Sequence, residues 1–233
     1  MISLIFATII SLPHTVVSPR NAAFIVEGQS NALDDGNVSN VPNVYVIRRN
    51  GQVDDEIGFG FPRYLATQYI QGNNQGFDQI WIISCAVSGS SITQWKPNQA
   101  PYDVCIANIN QAINLGLNIR GILWHQGEKN AVSGLSNYKA LLETHIDNIR
   151  SNVPSYVKFI AGELGRFLNS STHPYRASIV NQTRNAILNR PKTAFVESVG
   201  LTDRGDNLHF DLESYEFLGI RYANAMIFLE QVE

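Results

Sequence analysis

AAFIVEGQSN, at residues 22–31, joins a short apolar run to a polar turn. The run from Ala22 to Val26 is typical of a buried strand, and the glycine and polar residues after it predict a tight turn. A serine in that turn, Ser30, is held on rigid backbone, so its hydroxyl and its amide can point to the same place. This arrangement suits a nucleophile, and it puts a candidate reactive group at the end of the first predicted strand.

Apolar runs and helical patterns alternate along the rest of the chain. Strand-like runs lie near residues 22–27, 43–48, 79–86, 120–125, 156–162 and 193–199. Helix-like patterns lie near residues 61–71, 101–116, 135–151, 174–189 and 212–230. The alternation predicts the α/β class, with a mainly parallel sheet between two layers of helices. We expect a single domain over residues 1–233, since a chain of this length can bury a sizeable core.

The composition argues against several classes of protein. Hydrophobic residues make up 44% of the chain and charged residues 16%, which is not the composition of a disordered protein. The net charge is −3, from 17 basic and 20 acidic residues. A nucleic-acid partner is not expected, because proteins that bind nucleic acid carry a basic patch or stripe.

Residues 1–20 are open to two interpretations. Residues 2–12 are apolar and about as long as the core of a secretion signal, but too short to span a bilayer. No basic residue precedes them and no clear cleavage site follows, so we favour an N-terminal strand or cap over a signal segment. Extracellular, periplasmic and particle-associated locations all stay open.

The two cysteines form no metal-binding pattern. Cys85 ends a strand-like run and Cys105 lies at the start of a helix-like pattern, so we interpret both as small buried hydrophobic residues. A disulfide between them stays open, because both segments can lie near the same edge of a sheet. No cysteine–histidine cluster has zinc spacing, and neither a metal nor a cofactor is predicted.

Three further polar segments follow predicted strands or lie in loops near their ends. They are Ser88-Gly89-Ser90-Ser91, Trp124-His125-Gln126-Gly127-Glu128 and Asp206-Asn207-Leu208-His209. In open α/β sheets, binding sites form in the crevice beyond the carboxyl ends of the strands. Together with the serine turn, these segments predict one site at that edge of the sheet.

The residue types in these segments fit the hydrolysis of an ester. Ser30 needs a base, and His209 is the best of the five histidines. Asp206, three residues earlier, can accept from Nδ1–H of that ring and leave Nε2 free to take the serine proton. By contrast, His145 is predicted to lie on a helix surface.

Hydrolysis also needs donors to the developing oxyanion. The backbone amides of Ser30 and Gly89 and the side-chain amide of Gln126 are the candidates. A glycine at position 89 lets a substrate approach the backbone closely. Two roles stay open for Glu128. It can be structural, which we favour, or it can be the acid that pairs with His209.

Three motifs, in order along the chain, carry a resemblance to a known family. They are GQSN at residues 28–31, WHQGE at residues 124–128 and DNLHF at residues 206–210. With these motifs the sequence resembles the SGNH, or GDSL-like, hydrolases, and more narrowly the branch of the sialate O-acetylesterases and carbohydrate esterase family 6. Ala32 and Lys129 depart from residues that are common in this branch, but neither position carries a reacting group.

The resemblance implies a three-layer α/β/α sandwich of the flavodoxin-like type, whose central, mainly parallel sheet has about five strands. It implies Ser30 as the nucleophile, His209 as the base and Asp206 as the acid. It also implies an oxyanion hole from Ser30, Gly89 and Gln126, with no metal or cofactor. The implied reaction is the removal of O-acetyl groups from carbohydrate.

The substrate-binding residues are predicted at the same edge of the sheet. Trp95 and Tyr102 are candidates for stacking on a sugar, with packing in the core as the alternative. Gln29 and Asn31 flank the nucleophile and are expected to contact the substrate. Arg166 is a candidate for an acidic sugar, although we favour a solvated surface arginine.

Two other functions stay open. One is a short-chain lipase or thioesterase of the same superfamily, and the other is a non-catalytic glycan-binding module that keeps the fold. The expected partner is an O-acetylated glycan or another small acetyl ester, with no membrane span. The oligomeric state is not predicted.

Overall fold

The computed structural model describes residues 19–33, 38–72 and 76–232. Of the strand or cap predicted for residues 1–20, residues 1–18 therefore lie outside the described residues. The strands in these ranges are β1 (Asn21–Gly28), β2 (Val38–Asn40), β3 (Val44–Ile47), β4 (Val53–Asp54), β5 (Glu56–Gly58), β6 (Gln79–Ser84), β7 (Ile119–His125), β8 (Lys158–Gly162) and β9 (Thr193–Val196). The helices are α1 (Phe61–Gly72), α2 (Ala100–Asn114), α3 (Glu128–Ser133), α4 (Tyr138–Arg150), α5 (Arg176–Ile187) and α6 (Leu212–Gln231). Short 3₁₀ turns cover Ser30–Ala32 and Ile92–Gln94. None of the described helices is long and apolar enough to cross a membrane.

Seven of the strands form one sheet, in the order β4-β3-β6-β1-β7-β8-β9. All neighbours are parallel except β3 and β4, which pair antiparallel. Each of the predicted strand runs lies in this sheet, but the implied number of five strands is wrong. Six of the seven strands correspond to predicted runs. The other strand, β4, is only two residues long, which is too short to produce a recognisable pattern in the sequence. The remaining strands, β2 and β5, form a separate antiparallel pair.

The sheet lies between two layers of helices, as predicted. One apolar core lies under α1 and α6, and the other lies under α2, α4 and α5. In β1, Ala22, Phe24 and Val26 face the first core, whereas Ala23 and Ile25 face the second. Since successive side chains of a strand point to opposite faces, a strand covered on both faces needs an unbroken apolar run. The three-layer α/β/α sandwich is therefore confirmed, and the AAFIV run at its centre is the reason.

Cys85, the residue after β6, forms a disulfide with Cys105 of α2, and their Cα atoms are 5.0 Å apart. Both side chains are fully buried, as predicted, and the disulfide that the sequence left open is formed. Whether two buried cysteines pair depends on the distance and direction between their Cβ atoms, which the sequence does not contain. The bond ties the end of β6 to the helix layer beside it.

The chain changes direction across the sheet at β1. From β1 it runs to β3, β4 and β6 on one side, and it then continues through β7, β8 and β9 on the other side. Because β6, β1 and β7 are parallel neighbours, the loops that follow them meet at one edge. This is the position at which open α/β sheets bind their ligands.

Candidate active site

Ser30 lies in a tight turn that depends on a close approach between β1 and β7. Gly28, the last residue of β1, has a φ of 130°, and a Cβ there would overlap the carbonyl oxygen of His125. The N–H of Gln29 donates to that same carbonyl at 3.1 Å. Only glycine permits this backbone conformation so close to the carbonyl group of the neighbouring strand. Ser30 follows in the 3₁₀ turn and is half-buried, between the buried side chains of Gln29 and Asn31.

Asp206 and His209 form a hydrogen-bonded pair in the loop before α6. Nδ1 of His209 lies 2.7 Å from Oδ2 of Asp206. The other carboxylate oxygen accepts from the backbone N–H groups of Leu208 and His209, at 2.9 and 2.8 Å. Desolvation alone would raise the pKa of Asp206, but these hydrogen bonds and one from Arg204 hold it well below its usual range. Nη2 of Arg204, which can only donate, also lies 3.1 Å from Nδ1, but the contact with the carboxylate is shorter. Since the ionised carboxylate can only accept, the neutral ring carries its proton on Nδ1 and keeps a free lone pair on Nε2.

Ser30 and His209 line the same cleft, which has a volume of about 210 Å³. Its lining consists of Gln29, Ser30, Ser88, Gly89, Glu128, Lys129, Val132, His173, Leu208 and His209. Gly89 has a φ of 67°, and a Cβ there would have no protein atom within 4 Å, so the space above its backbone is open to a ligand. Among the described residues, the backbone N–H groups of Ser30 and Gly89 have no protein acceptor. The cleft therefore offers two free donors beside the serine.

Gln126 lies behind the wall of the cleft and is 1% exposed. Its Nε2 lies 2.8 Å from the carbonyl of Ser90, 2.9 Å from Oδ1 of Asn130 and 3.2 Å from Oε1 of Gln29. Its Oε1 accepts from the hydroxyl of Tyr138 at 2.8 Å. Because both N–H groups of this amide already have acceptors, the structure does not place Gln126 as a donor to the cleft. The amide instead ties together the segments that follow β1, β6 and β7.

Glu128, the first residue of α3, is buried but lines the cleft. Its Oε1 accepts from Nδ2 of Asn31 at 2.7 Å, whereas its Oε2 has no hydrogen-bond partner in the described part of the chain. Burial raises the pKa of Glu128 to about 7. Burial also lowers the pKa of His125, whose Nε2 lies 3.8 Å from Oε1 of Glu128, to about 4. Between these two values the pair holds a single proton, and that proton is on Glu128.

Trp95 and Tyr102 belong to the core rather than to the cleft. Trp95 is 1% exposed and packs edge-on against Trp124. The hydroxyl of Tyr102 donates to the carbonyl of Asn148 at 3.2 Å, and this residue is 6% exposed. The predicted stacking on a sugar is therefore wrong for both residues, and the alternative of packing is correct. An aromatic residue near a strand end gives the same sequence pattern in either case.

The other predicted substrate contacts have different positions. Gln29 lines the cleft, and its Oε1 accepts from the backbone N–H of Lys129 at 3.2 Å. Asn31 is 0% exposed, so the substrate contact predicted for it is wrong. Arg166 is not part of the cleft lining and pairs with Glu163 at 3.1 Å, which agrees with the favoured interpretation as a surface arginine.

The cleft contains side chains that the sequence analysis does not select. Lys129 and Val132 come from α3. Their position just after the WHQGE motif is a sequence signal that could have identified them as cleft-lining residues. His173 comes from the loop after β8, and its Nδ1 lies 2.9 Å from Oγ1 of Thr172. Desolvation lowers the pKa of His173. Within the described ranges, no group of three or more His, Cys, Asp or Glu side chains could hold a metal ion.

Solved structures of a lipolytic protein of the G-D-S-L family from Veillonella parvula and of a lipase/acylhydrolase from Enterococcus faecalis share this fold, with TM-scores of 0.50 and 0.52 at 10% and 13% identity. Residues 46–228 match the model of one family in particular, the carbohydrate esterases described as sialic acid-specific acetylesterases. The chain belongs to this family.

A probable carbohydrate esterase of Arabidopsis thaliana is 23% identical over 154 residues. The match covers 64% of this chain and 55% of that protein, so it spans about half of the relative's length.

Solved structures show the same fold at low sequence identity. The Arabidopsis protein superposes with a TM-score of 0.70 at 20% identity, covering 90% of this chain and 98% of its own. NanS gives a TM-score of 0.72 at 13% identity, covering 94% and 100% of the two chains. A carbohydrate acetylesterase from Xanthomonas citri gives 0.70 at 16% identity, covering 91% of this chain and 56% of that one.

Proposed function

We propose that this chain is a serine esterase that removes O-acetyl groups from carbohydrate. The observation that carries the proposal is the Asp206–His209 pair at 2.7 Å, which shares one cleft with Ser30 and Gly89. Nε2 of His209 takes the proton of the serine hydroxyl, and the serine oxygen attacks the acetyl carbonyl. The ionised Asp206 holds the reactive tautomer and stabilises the imidazolium that forms.

The remaining steps follow from the same groups. The free N–H groups of Ser30 and Gly89 donate to the oxyanion of the tetrahedral intermediate. His209 then returns its proton to the sugar oxygen as the carbon–oxygen bond breaks, which leaves an acetyl group on Ser30. A water molecule, deprotonated by His209, attacks this ester, and the imidazolium returns the proton to Oγ of Ser30 as the acyl bond breaks and acetic acid leaves. In this proposal Gln126 positions the Gly89 loop and does not touch the reacting atoms.

The substrate is proposed to be an O-acetylated glycan, in keeping with the family and with the size of the cleft. A cleft of about 210 Å³ accommodates an acetyl group, whereas a long acyl chain needs an extended apolar groove. The acyl preference therefore separates a carbohydrate acetylesterase from the lipase and thioesterase alternative.

Hydrolysis of 4-nitrophenyl acetate, butyrate and octanoate tests this proposal. We expect the acetate ester to be preferred and Ser30→Ala to lose about 10³-fold or more in kcat, because the nucleophile is gone. Ser155→Ala, in an exposed loop outside the cleft lining, is the matched control and should keep wild-type rates. Rates that rise with acyl length would favour a lipase or thioesterase. A folded wild type without any hydrolysis, but with glycan binding, would overturn the proposal in favour of a binding module.

A further inference from the structure

Asn31, the residue after the nucleophile, is fully buried, and its side chain makes four hydrogen bonds. Its Nδ2 donates to the carbonyl of Leu208 at 3.0 Å and to Oε1 of Glu128 at 2.7 Å. Its Oδ1 accepts from the backbone N–H of Phe210 at 3.3 Å and from the hydroxyl of Tyr215 at 3.0 Å. The two N–H groups and both lone pairs of the amide are therefore all in use.

Two of these bonds link the nucleophile to the base. Leu208 and Phe210 are the residues on either side of His209, and Asn31 directly follows Ser30. One side-chain amide thus holds the backbone before and after the histidine against the serine turn. A rotation of this amide by 180° would oppose Oδ1 to the Leu208 carbonyl and Nδ2 to the Phe210 N–H, so its orientation is unique.

Glu128 completes the arrangement, and its neighbours indicate its protonation state. The hydroxyl of Tyr222 donates to the carbonyl of Trp124 at 2.8 Å, so its oxygen accepts from Nδ1–H of His125, 3.3 Å away. Nε2 of His125 is therefore an unprotonated acceptor, and it faces Oε1 of Glu128 at 3.8 Å. Neither this Nε2 nor Oε2 of Glu128 has a hydrogen-bond partner among the described residues. An ionised carboxylate here would put an acceptor against an acceptor in a buried site.

We propose that Asn31 and Glu128 are a positioning pair for the reaction, in which Glu128 works as a neutral carboxylic acid that holds the Asn31 amide, and Asn31 holds the His209 loop over Ser30. The inference rests on the proposed function, because it takes Ser30 and His209 as the reacting groups. It gives Glu128 no part in the charge balance of the reaction, so a neutral side chain of the same shape should replace it.

Two substitutions at Glu128 test this role. Glu128→Gln keeps a neutral oxygen at the Oε1 position as the acceptor for the Asn31 N–H, so we expect kcat within about threefold of wild type. Glu128→Ala leaves the Asn31 N–H without its acceptor, and we expect kcat to fall about 10- to 100-fold with KM nearly unchanged, since the reacting groups lose their alignment. Asn31→Asp, which opposes a carboxylate oxygen to the Leu208 carbonyl, should lose at least as much as Glu128→Ala.

A loss in Glu128→Gln as large as that in Glu128→Ala would overturn the inference, because it would make the charge the essential feature. A rise in KM with an unchanged kcat in Glu128→Ala would overturn it as well.

A second readout does not depend on esterase activity. Hydrogen exchange of the loop at residues 202–211 should be faster in Glu128→Ala and Asn31→Asp than in wild type, and unchanged in Glu128→Gln. Equal exchange in all four proteins would overturn the positioning role. If wild type hydrolyses no ester, the proposed function fails while this comparison still decides the role of the pair.

Discussion

At the scale of single residues, the tautomer of His209 is the property on which the proposed chemistry depends. Asp206 accepts from Nδ1 at 2.7 Å and is ionised, so the ring presents an unprotonated Nε2. Arg204 also approaches the pair, with its Nε 2.9 Å from Asp206 Oδ2, and adds to the low pKa of that carboxyl. The pair is local in sequence, which is why the Asp-x-x-His spacing was sufficient to predict it.

Asp206→Asn should therefore remove activity without removing the fold. The amide can donate to Nδ1, which favours the wrong tautomer, and we expect kcat to fall by about 10²- to 10⁴-fold. Kinetics on 4-nitrophenyl acetate measure the loss, and an unchanged urea midpoint serves as the control. A larger loss in Glu128→Gln than in Asp206→Asn would assign the acid to Glu128 instead.

At the scale of elements, the order β6-β1-β7 brings together three segments that are far apart in the sequence. The motifs after these strands could be predicted to meet at one edge, because parallel strands in one sheet end on the same side. Which side chains then face the cleft could not be predicted. Trp95, Gln126 and Asn31 all lie in or next to these segments, yet packing and hydrogen bonding bury them.

The disulfide also acts at this scale, because it joins the end of β6 to α2 across 20 residues. Closing a loop of that size restricts the unfolded chain and is worth about 2–4 kcal/mol. We expect the double variant Cys85→Ala/Cys105→Ala to lose about that much stability in urea unfolding. Treatment with a thiol reductant should not change the variant further, which is the control. An unfolding midpoint equal to that of the oxidised wild type would contradict a structural role for the bond.

At the scale of the whole molecule, the pair Glu128 and His125 links stability to pH. In the native state the proton is on Glu128, whose pKa is about 7, and His125, whose pKa is about 4, is neutral. In the unfolded chain the ordinary values of 4.5 and 6.5 reverse this distribution. Between about pH 4.5 and pH 6.5 both states hold one proton, so the pair adds almost no slope to the stability curve.

Glu128→Gln should expose the contribution of His125 alone. The unfolded variant then binds a proton that the folded variant does not, so its free energy of unfolding should rise with pH between about 4.5 and 6.5 relative to wild type. The difference is at most about 1.4 kcal/mol per pH unit. Urea unfolding at several pH values measures it, and other titrating groups cancel in the comparison. If the free energies of unfolding of the two proteins change in parallel with pH, the assignment of the shared proton to Glu128 is contradicted.

The α/β class, the burial of the sheet on both faces and the segments that carry the candidate site can be read from the amino-acid sequence alone. These properties depend on local order along the chain: unbroken apolar runs, helical periodicity and polar residues just after strands. Distances between remote segments were decided only by the tertiary structure. It paired Cys85 with Cys105, and it buried His145, predicted to be on the surface, 3.0 Å from Glu27. It also turned Asn31 from a substrate contact into a link between the serine turn and the histidine loop, because a side chain acquires partners across 177 residues only when the sheet and its loops are in place.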